Sequence, residues 1–251
     1  WYDKFQVTMI DGTAVERIEP GVRQIRLSNG KSLNYDKLIL ATGAVPRTLP
    51  QLVAQENVHF LRSRDDAAVL RRAMQTAKTT VVIGGGYIGL EAAASFRKAG
   101  LIVHVVEAAE RLLARVASPD MSAFFQQLHQ RHGVIIHTGM TETKFHQKDV
   151  LFTGITLDTG EQISAELLVV GIGVVPESVL ADAIGAETGN GILVDRQMRT
   201  TIEDVYAIGD VALVDGAILR VESVHNAQDT AARAAADIAK TPLPDISIPW
   251  F

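Results

Sequence analysis

The feature that most constrains the fold is a glycine-rich turn that follows a short apolar run. Val81 to Ile83 has the continuous apolar character of a parallel strand buried on both faces. Gly84-x-Gly86-x-x-Gly89 follows, and helix-like sequence then continues to Lys98. The first glycine makes a tight turn, the second lets a pyrophosphate approach the backbone, and the third lets helix and strand pack closely. The stretch predicts a dinucleotide site; a tight turn without a ligand is the alternative.

The helix that begins inside this motif adds two further candidates. Its N-terminus, at Tyr87 and Ile88, would offer unpaired N–H groups and a partial positive charge to phosphates. The Tyr87 side chain either gates a nicotinamide pocket or packs at the helix start. Sequence alone does not separate these two interpretations.

An acidic residue stands where a dinucleotide site needs one. The next apolar run, Ile102 to Val106, ends in Glu107, which lies 23 residues after Gly84, near the usual spacing of about 20. A carboxylate accepts hydrogen bonds from two ribose hydroxyls and repels a 2′-phosphate. Two alanines follow without a positive charge, so the sequence predicts NADH over NADPH. Arg111 is the residue that could instead receive the phosphate.

Composition narrows the class of protein. The chain has 251 residues, of which 47% are hydrophobic, enough for one large core or two modest ones. A net charge of −5 gives no basic footprint for nucleic acid, and no apolar run reaches the 18 residues of a membrane span. The lack of cysteine excludes a redox disulfide, a cysteine nucleophile and cysteine-held metal centres in this chain. It also agrees with a cytoplasmic location.

Apolar periodicity and turn residues predict the remaining elements. Helices are expected at about 63–74, 119–132 and 226–239, with Ser63 and Ser118 as N-caps, Phe124 and Leu128 on an apolar face, and Pro242 and Pro244 beyond the last helix. Strands are expected at 5–10, 22–27, 36–42, 133–138, 150–157, 167–170, 192–194 and 204–208. The continuous apolar centre of 36–42 suggests burial on both faces. Helix and strand alternate after residue 63, which predicts a parallel sheet with right-handed crossovers.

Four further stretches point to a family. They are Tyr35 to Ala44, Gly171-x-Gly173-x-x-Pro176, Thr201 to Asp210, and Glu222-Ser223-Val224. Their order and spacing resemble the flavoprotein reductases with two dinucleotide folds. The chain is most similar to NADH-dependent reductases of ferredoxin and rubredoxin, including those that serve aromatic-ring dioxygenases and bacterial haem monooxygenases. The resemblance covers essentially the whole chain.

This resemblance implies an α/β fold of the Rossmann-like FAD/NAD(P)-binding type. A parallel sheet with helices on both faces and an antiparallel β-meander is expected, together with a partial second domain that binds FAD. The implied boundaries are 1–50 and 174–251 for the two segments of the partial FAD-binding domain, and 51–173 for the NAD-binding domain. The glycine and proline residues between 43 and 50 mark the first crossing. The chain would correspond to the middle of such a reductase, after its first FAD motif and before its C-terminal domain; Trp1, in place of an initiator Met, agrees with this.

The same resemblance carries roles to individual residues. Glu91 would touch the nicotinamide carboxamide, although a helix residue could simply face solvent. The flavin-side residues would be Thr42, Gly43, Arg47, Gly209, Asp210 and Val224, with Gly173 also near a cofactor. A strand that ends in Gly209-Asp210 can present a carboxylate to a ribityl hydroxyl. The alternatives are a turn or N-cap role for Asp210, a solvated charge for Arg47 and a buried apolar position for Val224.

The expected function is transfer of hydride from NADH to FAD and then of electrons to a ferredoxin or rubredoxin. No side-chain acid or base is needed for the hydride step, so no catalytic residue is assigned. The alternatives are a redox-signalling protein like the apoptosis-inducing factor, a chain that binds NAD alone, and a disulfide or peroxide reductase, which the lack of cysteine opposes.

The histidines give weaker signals. His129 and His132 lie three residues apart on a helix and could ligate a metal, but a surface pair is the favoured interpretation because further ligands are lacking. His225 lies near the expected flavin edge or in solvent. The sequence contains no Ser/His/Asp nucleophile motif.

Overall fold

The computed structural model describes residues 2–52 and 55–242. The chain divides into two compact units. We call Pro46–Val174 the central unit, and Trp1–Val45 with Val175–Phe251 the split unit. Pro244, expected beyond the last helix, lies outside the described residues.

The helices are α1 (Arg64–Ala73), α2 (Tyr87–Lys98), α3 (Pro119–Arg131), α4 (Val179–Ala183) and α5 (Val224–Ala239). The strands are β1 (Val15–Glu19), β2 (Gln24–Leu27), β3 (Ser32–Asn34), β4 (Leu38–Leu40), β5 (Ala44–Pro46), β6 (Val58–His59), β7 (Thr79–Ile83), β8 (Ile102–Glu107), β9 (Val134–Thr138), β10 (Glu142–Lys148), β11 (Leu151–Leu157), β12 (Gln162–Ser164), β13 (Leu167–Val170), β14 (Val174–Pro176), β15 (Thr188–Gly189), β16 (Gly191–Val194), β17 (Val205–Ala207) and β18 (Ala212–Val214).

The central unit is built on one parallel sheet of five strands in the order β6-β13-β7-β8-β9. Its register places Val82 opposite Val105 and Val169. Both faces are apolar, since the strand residues contribute alternately to two buried clusters. The predicted parallel sheet is confirmed.

The two faces of this sheet are covered differently. Helices α1, α2 and α3 supply Leu70, Phe96 and Phe125 to the core on one face. The antiparallel meander β10-β11-β12 supplies Phe152 and Ile155 to the core on the other. The meander was expected, but helices were expected on both faces, and strands take the second face in this unit.

Local signals set the helix ends in the central unit. Ser63 accepts a hydrogen bond from Asp66 N–H in a capping box at the start of α1, and Ser118 accepts one from Met121 N–H at the start of α3. Both caps were predicted. Gly133 ends α3 with a left-handed φ of +82°, which glycine adopts without steric cost.

The split unit contains smaller sheets. They are β1-β2-β3, β15-β16-β18 and the parallel pair β17-β4. Its core includes Ile192, Tyr206 and Ala234. The strands β5 and β14 pair with each other and contain the two crossings between the units.

Three local predictions are wrong. Residues 5–10 form no strand; a 3-10 turn spans Asp3–Phe5 instead, and Phe5 and Ile10 are exposed. The strand expected at 36–42 is only β4, and Ile39 is 40% exposed rather than buried. On α3, Phe124 is 50% exposed, because the buried face runs through Ser122, Phe125 and His129.

Candidate nucleotide-binding site

The glycine turn between β7 and α2 has the backbone that its sequence predicts. Gly84 has a φ of +105°, and a Cβ there would lie closer than 3.0 Å to the carbonyl oxygen of Gly171. A Cβ at Gly89 would likewise lie closer than 3.0 Å to the carbonyl oxygen of Gly84. At Gly86, in contrast, a Cβ would meet nothing within 4 Å. Gly84 and Gly89 are therefore required for packing, whereas Gly86 borders open space that a ligand can enter.

The start of α2 is open toward that space. Gly86 is the N-cap, and it makes no side-chain capping hydrogen bond to this end of the helix. The first N–H groups of a helix have no partner within it, and together with the helix dipole they attract anions. Tyr87 is 58% exposed, so much of its side chain is open to solvent at the helix start. Ile88 is 38% exposed on the same turn.

Glu107 lies at the end of β8, beside the glycine turn. Its Oε2 accepts a hydrogen bond from Gly85 N–H at 2.6 Å, and its Oε1 accepts one from Ala109 N–H at 2.8 Å. Each carboxylate oxygen has more than one lone pair, so both can accept further bonds. The two backbone bonds hold the carboxylate at the mouth of the turn, where the sequence pattern expects an acid for ribose hydroxyls.

Arg111 is already engaged within the protein. Its guanidinium donates to the carbonyl oxygens of Ala114 and Ala117 and to Ser122 Oγ, at distances from 2.7 to 2.9 Å. A phosphate would have to displace these acceptors.

Glu91 and Gly173 also belong to the central unit. Glu91 is exposed on α2, while Ala92 and Ala93 on the opposite side are buried against the sheet. Gly173 has a φ of +97°, its carbonyl oxygen accepts a hydrogen bond from Arg47 N–H at 2.9 Å, and the Arg115 guanidinium lies beside it. The Arg47 side chain is exposed.

In the split unit, four of the expected flavin-side residues come together at one sheet edge. Strands β4 and β17 are parallel and pair Leu40 with Ala207. Their carboxyl ends therefore bring Thr42 and Gly43 close to Gly209 and Asp210. Carboxyl ends of parallel strands are where α/β folds bind ligands.

Backbone geometry at this edge favours close approach. Gly43 and Gly209 have φ values of +70° and +68°. Thr42 Oγ1 donates to Glu177 O at 2.6 Å, and Gly209 N–H donates to the buried Thr230 Oγ1 at 2.9 Å. Asp210 is half-buried in the 3-10 turn Gly209–Val211, so it occupies a turn as well as a strand end.

Val224 is the first residue of α5, and Ser223 caps this helix by accepting from Asn226 N–H. Val224 is 72% exposed, so the alternative of a buried apolar residue is wrong. His225 is exposed on the same turn.

Sequence reasoning missed a pair of histidines in the central unit, of which His137 is buried and His104 half-buried. His104 Nδ1 and His137 Nε2 lie 3.1 Å apart in hydrogen-bond contact, and their rings stack. Glu161 Oε2 lies 3.9 Å from His137 Nδ1. Burial and the neighbouring His137 lower the pKa of His104. Both histidines lie on the meander-facing side of adjacent strands, which alternation along β8 and β9 could have revealed.

His129 is also buried, at 9% exposure, which corrects its prediction as a surface residue. Burial, and secondarily His132, lower its pKa. Among residues 2–52 and 55–242, no three His, Cys, Asp or Glu side chains converge as a metal site. In the same ranges no helix has the length and apolar character needed to cross a bilayer.

Comparison with known proteins assigns the family. The model for the pyridine nucleotide-disulphide oxidoreductases matches residues 3–231, so the chain belongs to this family.

Individual relatives are consistent with that family. Rhodocoxin reductase of Rhodococcus erythropolis is 40% identical over all of this chain and 60% of its own length. Putidaredoxin reductase of Pseudomonas putida is 36% identical, and the match spans all of this chain and 62% of the length of that reductase. A crystal structure of the covalent putidaredoxin reductase–putidaredoxin complex superposes with a TM-score of 0.93, over all of this chain and 62% of the other. The chain thus spans less than two thirds of these relatives.

Proposed function

We propose that this chain is part of a flavoprotein reductase that passes electrons from NADH through FAD to a ferredoxin or rubredoxin. The observation that carries the proposal is the glycine turn, in which Gly84 and Gly89 are fixed by packing and Gly86 borders open space. A nicotinamide dinucleotide supplies a hydride, and a flavin accepts it and releases single electrons. The protein residues bind and orient these groups.

In the central unit, we assign the dinucleotide to the turn and the start of α2. Backbone N–H groups at Tyr87 and Ile88 would hold the pyrophosphate. Glu107 would accept hydrogen bonds from the adenosine ribose, since its carboxylate is held at the turn by Gly85 N–H. Glu91 would contact the nicotinamide carboxamide, and Gly173 would line the same crevice.

NADH is the proposed nucleotide rather than NADPH. Glu107 would repel a 2′-phosphate, and Arg111 has protein acceptors for its guanidinium. Tighter binding of NADPH than of NADH in a calorimetric titration would contradict this.

In the split unit, we assign the flavin to the edge formed by Thr42, Gly43, Gly209 and Asp210. The residues fit such a group, because Gly43 and Gly209 have left-handed backbone that glycine adopts without steric cost and place no side chain at the edge. Asp210 would accept a hydrogen bond from a ribityl hydroxyl. Val224, exposed at the start of α5, would offer its backbone N–H to the pyrimidine edge, where the helix N-terminus favours negative charge.

The electron acceptor follows from the names of the relatives. Rhodocoxin reductase and putidaredoxin reductase are named for small electron-transfer proteins, and one matched structure is a complex with putidaredoxin. We propose an acceptor of this class and a cytoplasmic location.

The test is an absorbance scan of the full-length protein across the flavin bands, followed by NADH-dependent reduction of ferricyanide. We expect a flavin spectrum and steady turnover. Glu107→Gln should raise the KM for NADH and reduce the preference of the protein for NADH over NADPH. A protein that binds NADH but reduces no ferricyanide would favour the alternative of a binding or signalling module. A protein with no NADH binding would overturn the proposal.

A further inference from the structure

The segment 108–118, between β8 and α3, is held together by Arg111. Its Nη1 donates to Ala117 O at 2.8 Å and to Ser122 Oγ at 2.7 Å, and its Nη2 donates to Ala114 O at 2.9 Å. An arginine presents several donors in a rigid planar fork, which suits three acceptors converging from one loop. The side chain therefore ties the end of the segment to the first turn of α3.

Hydrogen bonds continue from this point to the glycine turn. Ser122 is 1% exposed, and its Oγ donates to Leu112 O at 2.6 Å. The next residue, Leu113, donates its N–H to Gly85 O at 2.9 Å. Gly85 in turn donates its own N–H to Glu107. Arg111 is thus connected through the loop to the carboxylate that faces the proposed nucleotide.

The loop conformation requires support. Leu113 has a φ of +54°, and a non-glycine residue keeps such a backbone only when its surroundings hold it there. Leu112 and Leu113 are buried at 0% and 3% exposure. A Cβ at Gly85 would lie 2.5 Å from Leu112 Cδ2 and 3.1 Å from Glu107 Oε2. The loop and the turn therefore fit each other closely.

We propose that Arg111 is a positioning residue for nucleotide binding and selectivity. It holds segment 108–118 in the conformation that fixes Gly85 and Glu107, and it does not receive a 2′-phosphate. Turning the guanidinium outward would break three hydrogen bonds and release the loop that supports the site. This inference rests on the proposed function, because it assumes that NADH occupies the turn.

The test compares variants of the full-length protein by calorimetric titration with NADH and NADPH and by steady-state kinetics. Arg111→Ala should raise the Kd and KM for NADH about 10- to 100-fold, since small misplacements of a binding group have effects of this size. The kcat at saturating NADH should stay within about twofold, because transition-state contacts are not removed. Arg111→Lys should restore part of the affinity, as lysine keeps the charge but not the planar fork.

Two further variants separate positioning from general stability. Ser122→Ala removes one of the three acceptors of Arg111 and the donor to Leu112 O, and should weaken NADH binding to an intermediate degree. Arg131→Ala is the matched control, since Arg131 is exposed and its Nε donates to Gln127 O in its own helix, away from segment 108–118. It should bind NADH like the wild type.

Each outcome decides the inference. A folded Arg111→Ala protein with unchanged Kd for NADH, or one that loses NADPH affinity selectively, overturns it. If that variant does not fold, wild-type affinity in both Arg111→Lys and Ser122→Ala overturns it. If the wild-type protein binds no NADH, both the proposed function and the inference fail. If the wild type binds NADH and the variants have the same Kd, the inference alone fails.

Discussion

The central and split units reach compactness in different ways. The central unit joins five parallel strands in one sheet, with a buried cluster on each face. The split unit combines sheets of two and three short strands around one cluster. Its ion pairs include those of Arg23 and Lys37 with Asp204, and that of Arg199 with Asp237.

The two units also differ in which ionisable groups have shifted pKa values. In the central unit, burial lowers the pKa of His59, His104 and His129. In the split unit, ion pairing and hydrogen bonds lower the pKa of Asp204 and Asp237. Hydrogen bonds also lower the pKa of Asp66 and Glu166 in the central unit, so the histidines with lowered pKa values, rather than the charged carboxylates, distinguish the two units.

The largest expected effect is at the glycine turn of the central unit. Gly89→Ala places a Cβ against the carbonyl oxygen of Gly84, which cannot rotate away as a side chain could. We expect a loss of more than about 3 kcal/mol of unfolding free energy, beyond the usual range for overpacking. Gly86→Ala is the control: a Cβ there meets open space, so stability should hold while NADH affinity falls. Chemical denaturation and calorimetry would measure both, and equal stability of the two variants would contradict the account.

Core truncations should act on one unit at a time. Phe96→Ala in the central unit and Ile192→Ala in the split unit remove side chains exposed by 1% and 0%. Each should cost about 2–5 kcal/mol. Hydrogen exchange followed by mass spectrometry should show lost protection mainly in the unit that carries the change. Phe124→Ala, at a half-exposed position, should stay within about 0.5 kcal/mol. Equal loss of protection in both units would show that they unfold as one.

Moderate acid should weaken the central unit first. A histidine with a lowered folded pKa binds more protons when unfolded, so its stability contribution is complete above the ordinary value of 6.5 and declines as pH falls below it. In the split unit, Asp204 and Asp237 have lowered folded pKa values, so the stability that they contribute is lost only as pH falls below the ordinary value of 3.8. Hydrogen exchange at pH 7.5 and pH 5.5, corrected for intrinsic rates, should show opening of residues 46–174 only. Preferential opening of the split unit would reverse the comparison.

The smallest effect is expected at the split unit's surface pairs. Asp204→Asn removes the charge facing Lys37 and Arg23, and asparagine tolerates the left-handed φ of +63° at this position. Partly exposed ion pairs contribute little, so the melting temperature should fall slightly, less than for either core variant. A fall as large as that of Ile192→Ala would show that these pairs hold the unit together.

The contrast between the units also explains what the sequence could predict. Buried parallel strands such as β7 and β13 are continuous apolar runs, and Ser63 and Ser118 are clear caps, so the central sheet and its helices were predicted. The glycine pattern located the turn and Glu107 because each position has a separate steric or chemical requirement. Strand β10 was missed because its seven residues contain a single large apolar side chain, Phe145.

Tertiary contacts decided the remaining features. Nothing in the local sequence shows that His129 is buried and Phe124 exposed, since both positions suit a helix. The engagement of Arg111 was equally hidden, because two of its three acceptors are backbone carbonyls that any sequence would provide. The exposure of Ile39 on β4 depends on which elements pack against that strand, and the pattern of apolar residues does not identify those elements.

The most direct test of the account is a crystal structure of the protein with NADH. The account predicts the pyrophosphate at the N-terminus of α2 beside Gly86, with the adenosine ribose hydroxyls bonded to the Glu107 carboxylate. A nucleotide bound elsewhere, or a ribose that leaves Glu107 uncontacted while Arg111 turns toward it, would contradict the account.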